Sequence, residues 1–141
     1  MKYSLFIILI IFVSCAHKKT STTCQKKEII EIPLTLAQCF NNTKQPLKAL
    51  SIYAQYSKED QNTVEWNLVE FESYLNLNKN QKALIKLHQH LTQSPSERYY
   101  IRLLKYYQAS DEKEAFDSLR TQALKLYPDN KDIQMFNGKE S

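Results

Sequence analysis

Glycine is nearly missing from this 141-residue chain, which has Gly138 and four prolines. Tight β-hairpins place glycine at positive φ, so a hairpin-rich β fold is disfavoured and an all-α fold expected. Long apolar sequence is scarce too. The longest run, Leu5 to Val13, would rise only ~14 Å as a helix, against a hydrocarbon core of roughly 30 Å. Charge of one sign is not in large excess: the formal net charge is +4. Lys2, Lys18, Lys19, Lys26 and Lys27 all precede residue 28, so the remainder is close to neutral. A nucleic-acid binder needs a basic patch on its folded part, and none is visible, so no nucleic-acid partner is expected. Phosphate loops, Gly-x-Ser-x-Gly and His-Glu-x-x-His are all absent, so neither an enzyme nor a cofactor is expected. His88 and His90 would point about 200° apart on a helix with no third ligand near, so no metal site is expected. Asp111, Glu112 and Glu114 suit capping and the helix dipole better than acid–base chemistry.

What is present begins with an address. Lys2 precedes the apolar run, and the run ends at Phe12-Val13-Ser14-Cys15. A basic start, a short apolar core and a small residue make a signal peptide over residues 1–14. The junction resembles the lipobox of bacterial lipoproteins, although Phe12 stands where that family prefers leucine. The resemblance implies cleavage between Ser14 and Cys15, and acylation of the Cys15 thiol with palmitate-type chains. Two or three such chains anchor stably where one does not. Ala16 resembles the residue that sends such proteins to the outer membrane, facing the periplasm. An ordinary secretory cut nearby, or an uncleaved anchor, are the alternatives. Residues 15–32 form a polar, basic tether.

With Cys15 assigned to lipid, Cys24 and Cys39 remain as a pair in an oxidising compartment. A bridge between them would close a loop of about 15 residues and stabilise the fold by ~3 kcal/mol. Two free thiols are the alternative.

Residues 33–141 read as one helical domain. Pro33 and Pro46 suit first-turn positions. Asn62 with Glu65, Ser94 with Pro95 and Glu97, and Asp111 with Glu114 read as N-caps with an acidic residue three places on. They divide the chain into helices over about 34–42, 46–58, 63–77, 81–93, 95–109 and 111–127, with a short piece over 129–136. Apolar stripes at helical spacing agree: Val64, Leu68, Phe71, Leu75; Leu84, Leu87, Leu91; Tyr100, Leu103, Leu104, Tyr107; Phe116, Leu119, Ala123, Leu126. Short loops make neighbours antiparallel.

A period follows. Trp66 and Tyr99 are 33 apart, as are Tyr74 and Tyr107, and Pro95 and Pro128; Ala49 and Ala83 are 34 apart. The pattern resembles the tetratricopeptide repeat, a pair of antiparallel helices, over about residues 46–128. It implies a short solenoid of about two and a half repeats. Ala49, Ala83 and Ala123 would take the small crossing positions, and Tyr74 and Tyr107 the tyrosine late in the first helix. His90 departs from a small position, the first-helix glycine is absent, and bulky Phe116 falls at a crossing. A generic helical bundle is the alternative.

In that family the first helix of each pair lines the inner groove. The matching positions are Glu65, Leu68, Glu72, Asn76, Arg98, Ile101, Lys105 and Gln108, a partner groove or else a solvated mixed-charge face. Tyr99, Tyr100 and Tyr106 cluster nearby, and half-wet tyrosines suit contact surfaces. The functional expectation is a membrane-tethered lipoprotein holding a protein or peptide partner as an envelope assembly adaptor. A pilotin-like chaperone of a secretin or pilus subunit is an alternative. So is a structural, immunity or exclusion-type surface lipoprotein with no specific ligand.

Overall fold

The computed structural model of the chain describes residues 33–136. The signal peptide, the tether with Ser14, Cys15 and Cys24, and residues 137–141 lie outside the described residues. All regular structure here is helical: α1 Pro33–Asn42, α2 Pro46–Tyr53, α3 Lys58–Gln61, α4 Val64–Asn76, α5 Asn80–Gln93, α6 Glu97–Ala109, α7 Lys113–Leu126 and α8 Lys131–Gln134. The all-α expectation holds.

Three hairpins, α1/α2, α4/α5 and α6/α7, follow one another, and each packs on the next through α4 and α6. Helix α8 covers one end of the α6/α7 pair. Alanines set the closest approaches: Ala37, Ala49, Ala83 and Ala123 are all fully buried. Removing the bulk of a side chain there lets two helix backbones approach. A larger apolar cluster built on Phe71, Leu87, Tyr99, Leu103, Leu104, Phe116 and Ile133 spans α4 to α8. A smaller one joins α1, α2 and α4 around Trp66 and Val69, with Tyr53 and Tyr56 against the indole.

The turns explain how a chain so poor in glycine makes hairpins. Lys44, Asn78 and Asp111 each take a left-handed conformation, with φ of 57°, 58° and 59°. Each follows a first helix of a pair. The next residue's N–H then bonds back five residues: Gln45 to Phe40 O at 2.7 Å, Lys79 to Tyr74 O at 2.8 Å, Glu112 to Tyr107 O at 3.0 Å. These are Schellman closures, which satisfy orphan helix carbonyls and usually employ glycine. Asparagine and aspartate tolerate the left-handed region better than most residues.

Those turns correct three of the expected caps. Asp111 does not start α7; it ends α6, and Glu112 precedes α7 with no side-chain cap bond. Asn62 closes α3, while Thr63 caps α4 by accepting from Trp66 N. Ser94 is not a cap: it stands extended at φ −146°, ψ 87°, as a residue before proline tends to be, and α6 starts at Glu97 after Ser96. The single helix expected over 46–58 is broken. It stops at Tyr53, and Ser57 opens α3 by accepting from Asp60 N and donating to Asp60 Oδ2.

Buried polar side chains fix the register between hairpins. Asn41 Nδ2 donates to Val69 O at 3.0 Å, Ser73 Oγ donates to Asn41 Oδ1 at 2.9 Å, and Asn76 Nδ2 donates to Asn41 O at 3.1 Å. Further along, Asn67 Nδ2 donates to Tyr99 Oη at 2.8 Å. Buried polar groups placed this way disfavour any sliding of one helix past another, since a slip would leave them unpaired.

Candidate functional site

The eight groove positions fall on α4 and α6. On α4, Leu68 is buried and belongs to the larger core cluster, so it offers little to a partner. Glu65 bonds to Arg98, and Glu72 pairs with Arg102 Nη1 at 3.1 Å. Asn76 accepts from Lys44 Nζ at 2.8 Å and donates to Asn41 O. Two acidic residues of one rung thus meet two arginines of the next. Surface pairs of this kind contribute little to stability, but they neutralise the face locally.

The structure does bring Ile101, Lys105 and Gln108 together. They line one side of a cleft of about 320 Å³, whose other side is Asp132, Met135 and Phe136 from α8 and the residues after it. Met135 is 75% exposed, the most exposed large apolar side chain described. Lys105 makes no ion pair within the described residues. The site therefore differs from the expected one: it lies between α6 and α8 rather than between α4 and α6. Asp132, Met135 and Phe136 were missed. The sequence signal for them was weak, because Asp129 to Phe136 is too short to show helical periodicity. Its anchor is Ile133, fully buried, with Asn130 capping α8 by accepting from Ile133 N.

Of the clustered tyrosines, Tyr99 and Tyr100 are buried and Tyr106 half-buried; none stands free. Tyr107 accepts or donates a 2.7 Å hydrogen bond with His88 Nε2, and the His90 ring lies 6.4 Å from that of Tyr99. The two histidines thus diverge. Burial pushes the His88 imidazole below its ordinary pKa, and burial does the same to His90, where Glu70 opposes the shift and Lys86 adds to it. Burial, aided by Glu70, raises the Tyr53 phenol to about 12. Glu70 itself is buried, with Lys86 Nζ at 3.5 Å. Among the described residues no group of three or more His, Cys, Asp or Glu is placed to hold a metal ion. No described helix is long and apolar enough to cross a membrane. Cys39, half-buried on α1, is disulfide-bonded, with its partner outside the described residues.

No protein-family model, curated protein or solved structure matches the chain.

Proposed function

We propose that this chain is a bacterial lipoprotein, held at a membrane through Cys15, that presents a short tetratricopeptide-like helical stack to a protein or peptide partner in the cell envelope. The observation that carries the reading is the α6–α8 cleft. It combines an apolar floor, a cation with no internal partner, and a methionine left 75% exposed. Methionine is adaptable in shape and is over-used at surfaces that must fit a partner. Tyrosines and alanines at a period of 33 or 34 residues support the repeat resemblance. Three of the positions it implied as small, Ala49, Ala83 and Ala123, are fully buried.

The anchor and the surface are tested separately. In a bacterial host, Cys15→Ala should move the chain from the membrane fraction to the soluble one, and mass spectrometry should find acyl chains on Cys15 of the native protein. An unmodified Cys15 would overturn the lipoprotein reading. A photo-reactive residue at Met135 or Lys105 should give defined covalent adducts in intact cells, whereas one at exposed Gln81 should not. Equal labelling from all three positions, or from none, would overturn the partner surface.

A further inference from the structure

A second cleft opens on a different face of α6. Helices α5 and α7 are the second members of adjacent hairpins, yet they are not packed closely on each other. The wedge between them encloses about 480 Å³, a volume within the range of small-ligand sites. Pro95 lies at its edge, in the link that carries the chain from α5 to α6.

The chemistry of the lining is distinctive in a chain that is 24% charged. No lysine, arginine, aspartate or glutamate lines the wedge. Its one titratable base, His88, is held toward the neutral form by burial and bonds to Tyr107 Oη at 2.7 Å. The Tyr100 and Tyr107 rings and Pro95 supply apolar, ring-shaped surface. From α7, Ser118 and Gln122 stand one helical turn apart on the same wall, and neither has a side-chain hydrogen-bond partner among the described residues.

Each of those free groups both donates and accepts. A hydroxyl does so through one atom, an amide through two neighbouring atoms. The His88–Tyr107 pair behaves alike, since whichever member holds the shared proton, Tyr107 Oη keeps a further donor or acceptor role. An ionic ligand would find no opposite charge here and would lose its hydration without compensation. An acyl chain would bury Ser118 and Gln122 unpaired. Adjacent sugar hydroxyls donate and accept side by side, and the C–H face of a pyranose packs on aromatic and proline rings.

We propose that the α5–α6–α7 wedge is a binding site for a short uncharged oligosaccharide, with Ser118 and Gln122 recognising hydroxyl or acetamido groups and the Tyr100 and Tyr107 rings packing against a sugar face. The site is separate from the α6–α8 cleft and does not depend on it. For a ligand held by a few hydrogen bonds in an open wedge, the dissociation constant should be on the order of 1 mM or tighter.

The test uses the full chain and two tetramers of equal length, that of N-acetylglucosamine, which is neutral, and that of glucosamine, which is cationic. Ligand-observed NMR and calorimetry should show the neutral tetramer binding and the cationic one binding at least about tenfold more weakly. Ser118→Ala with Gln122→Ala should weaken the neutral tetramer about tenfold or more. Both side chains are exposed, so circular dichroism and melting of that variant should be unchanged. Absence of binding by the neutral tetramer, equal binding of the two tetramers, or a double variant that binds like the native chain would each overturn the proposal. Should Ser118→Ala with Gln122→Ala alter melting, Ser118→Thr replaces it. That variant keeps the hydroxyl and should retain binding, and its failure to do so counts equally against the assignment.

Discussion

The contact between α1 and α4 rests on a buried pair that can be taken apart one atom at a time. Asn41→Ala removes the Nδ2 donor to Val69 O and the Oδ1 acceptor of Ser73, but it spares the Asn76 bond, which goes to the Asn41 backbone carbonyl. Ser73 Oγ is not orphaned by this change, because Val69 O lies 2.8 Å away as a second acceptor. Two hydrogen bonds are lost at about 1 kcal/mol each, so the expected destabilisation is about 2 kcal/mol. Ser73→Ala acts differently. It leaves Asn41 Oδ1 buried and without its donor, at a cost of ~1–3 kcal/mol. In the double variant that orphaned oxygen is gone, so the two costs must not add. A coupling of about 1 kcal/mol is expected. Urea unfolding followed by circular dichroism measures it. With m of about 1–3 kcal/mol/M for a small domain, Asn41→Ala should lower the midpoint by about 1 M at constant m. Gln38→Ala, on the exposed side of α1, should change stability by less than about 0.5 kcal/mol. The reasoning is refuted if the Asn41 and Ser73 variants are additive within about 0.4 kcal/mol, or if Asn41→Ala is no worse than Gln38→Ala.

Other consequences are more local. Asp111→Gly should stabilise the chain by about 0.5–1 kcal/mol in the same assay, because glycine relieves the left-handed strain at φ 59° by more than its extra unfolded-state freedom removes; a loss would refute the Schellman reading of that turn. Arg98→Ala should destabilise by only about 0.2–1 kcal/mol, with the effect shrinking in high salt, since Arg98 and Glu65 are both largely exposed. Burial lowers the folded-state pKa of His88 and His90 below the ordinary value of 6.5, so the unfolded chain binds more protons as pH falls. Stability should be fully present above about pH 6.5 and decline as pH drops through the lowered folded-state values. His88→Gln should flatten that decline, and a pH profile identical to the native one would count against the assignment.

Much of the fold was legible because helical periodicity survives in any amphipathic segment long enough to bury a face. The stripes through Phe71, Leu87, Leu103 and Phe116 all end in the core, as do the alanines that the 33- to 34-residue spacing singled out. The boundaries were not, and the reason is specific. Asn62, Ser94 and Asp111 are residue types that serve equally at helix starts, in turns and after helix ends. In a chain rich in glycine the left-handed C′ position would have been marked, leaving aspartate free to signal a start. Here the described turns are made by Lys44, Asn78 and Asp111, so the residues that normally announce the next helix are consumed in closing the previous one.

The partner groove was misplaced for a related reason. Placing Glu65, Glu72, Arg98 and Lys105 on one face by repeat arithmetic treats each position as addressing solvent or a ligand. Yet positions one repeat apart also address each other across stacked first helices. Glu65 and Arg98 are 33 residues apart and bond directly; Glu97 and Asn130, also 33 apart, do the same at 2.7 Å. A complementary pair at the repeat period therefore speaks first for rung-to-rung adhesion. Only positions lacking such a counterpart remain open to a partner. Lys105 is one of these, because the position 33 before it is Glu72, which Arg102 already holds. Its neighbours across the cleft, Met135 and Asp132, have no described rung beyond them to pair with. Free recognition groups thus collect where the stack of described hairpins ends, at α6 and α8, rather than midway along it.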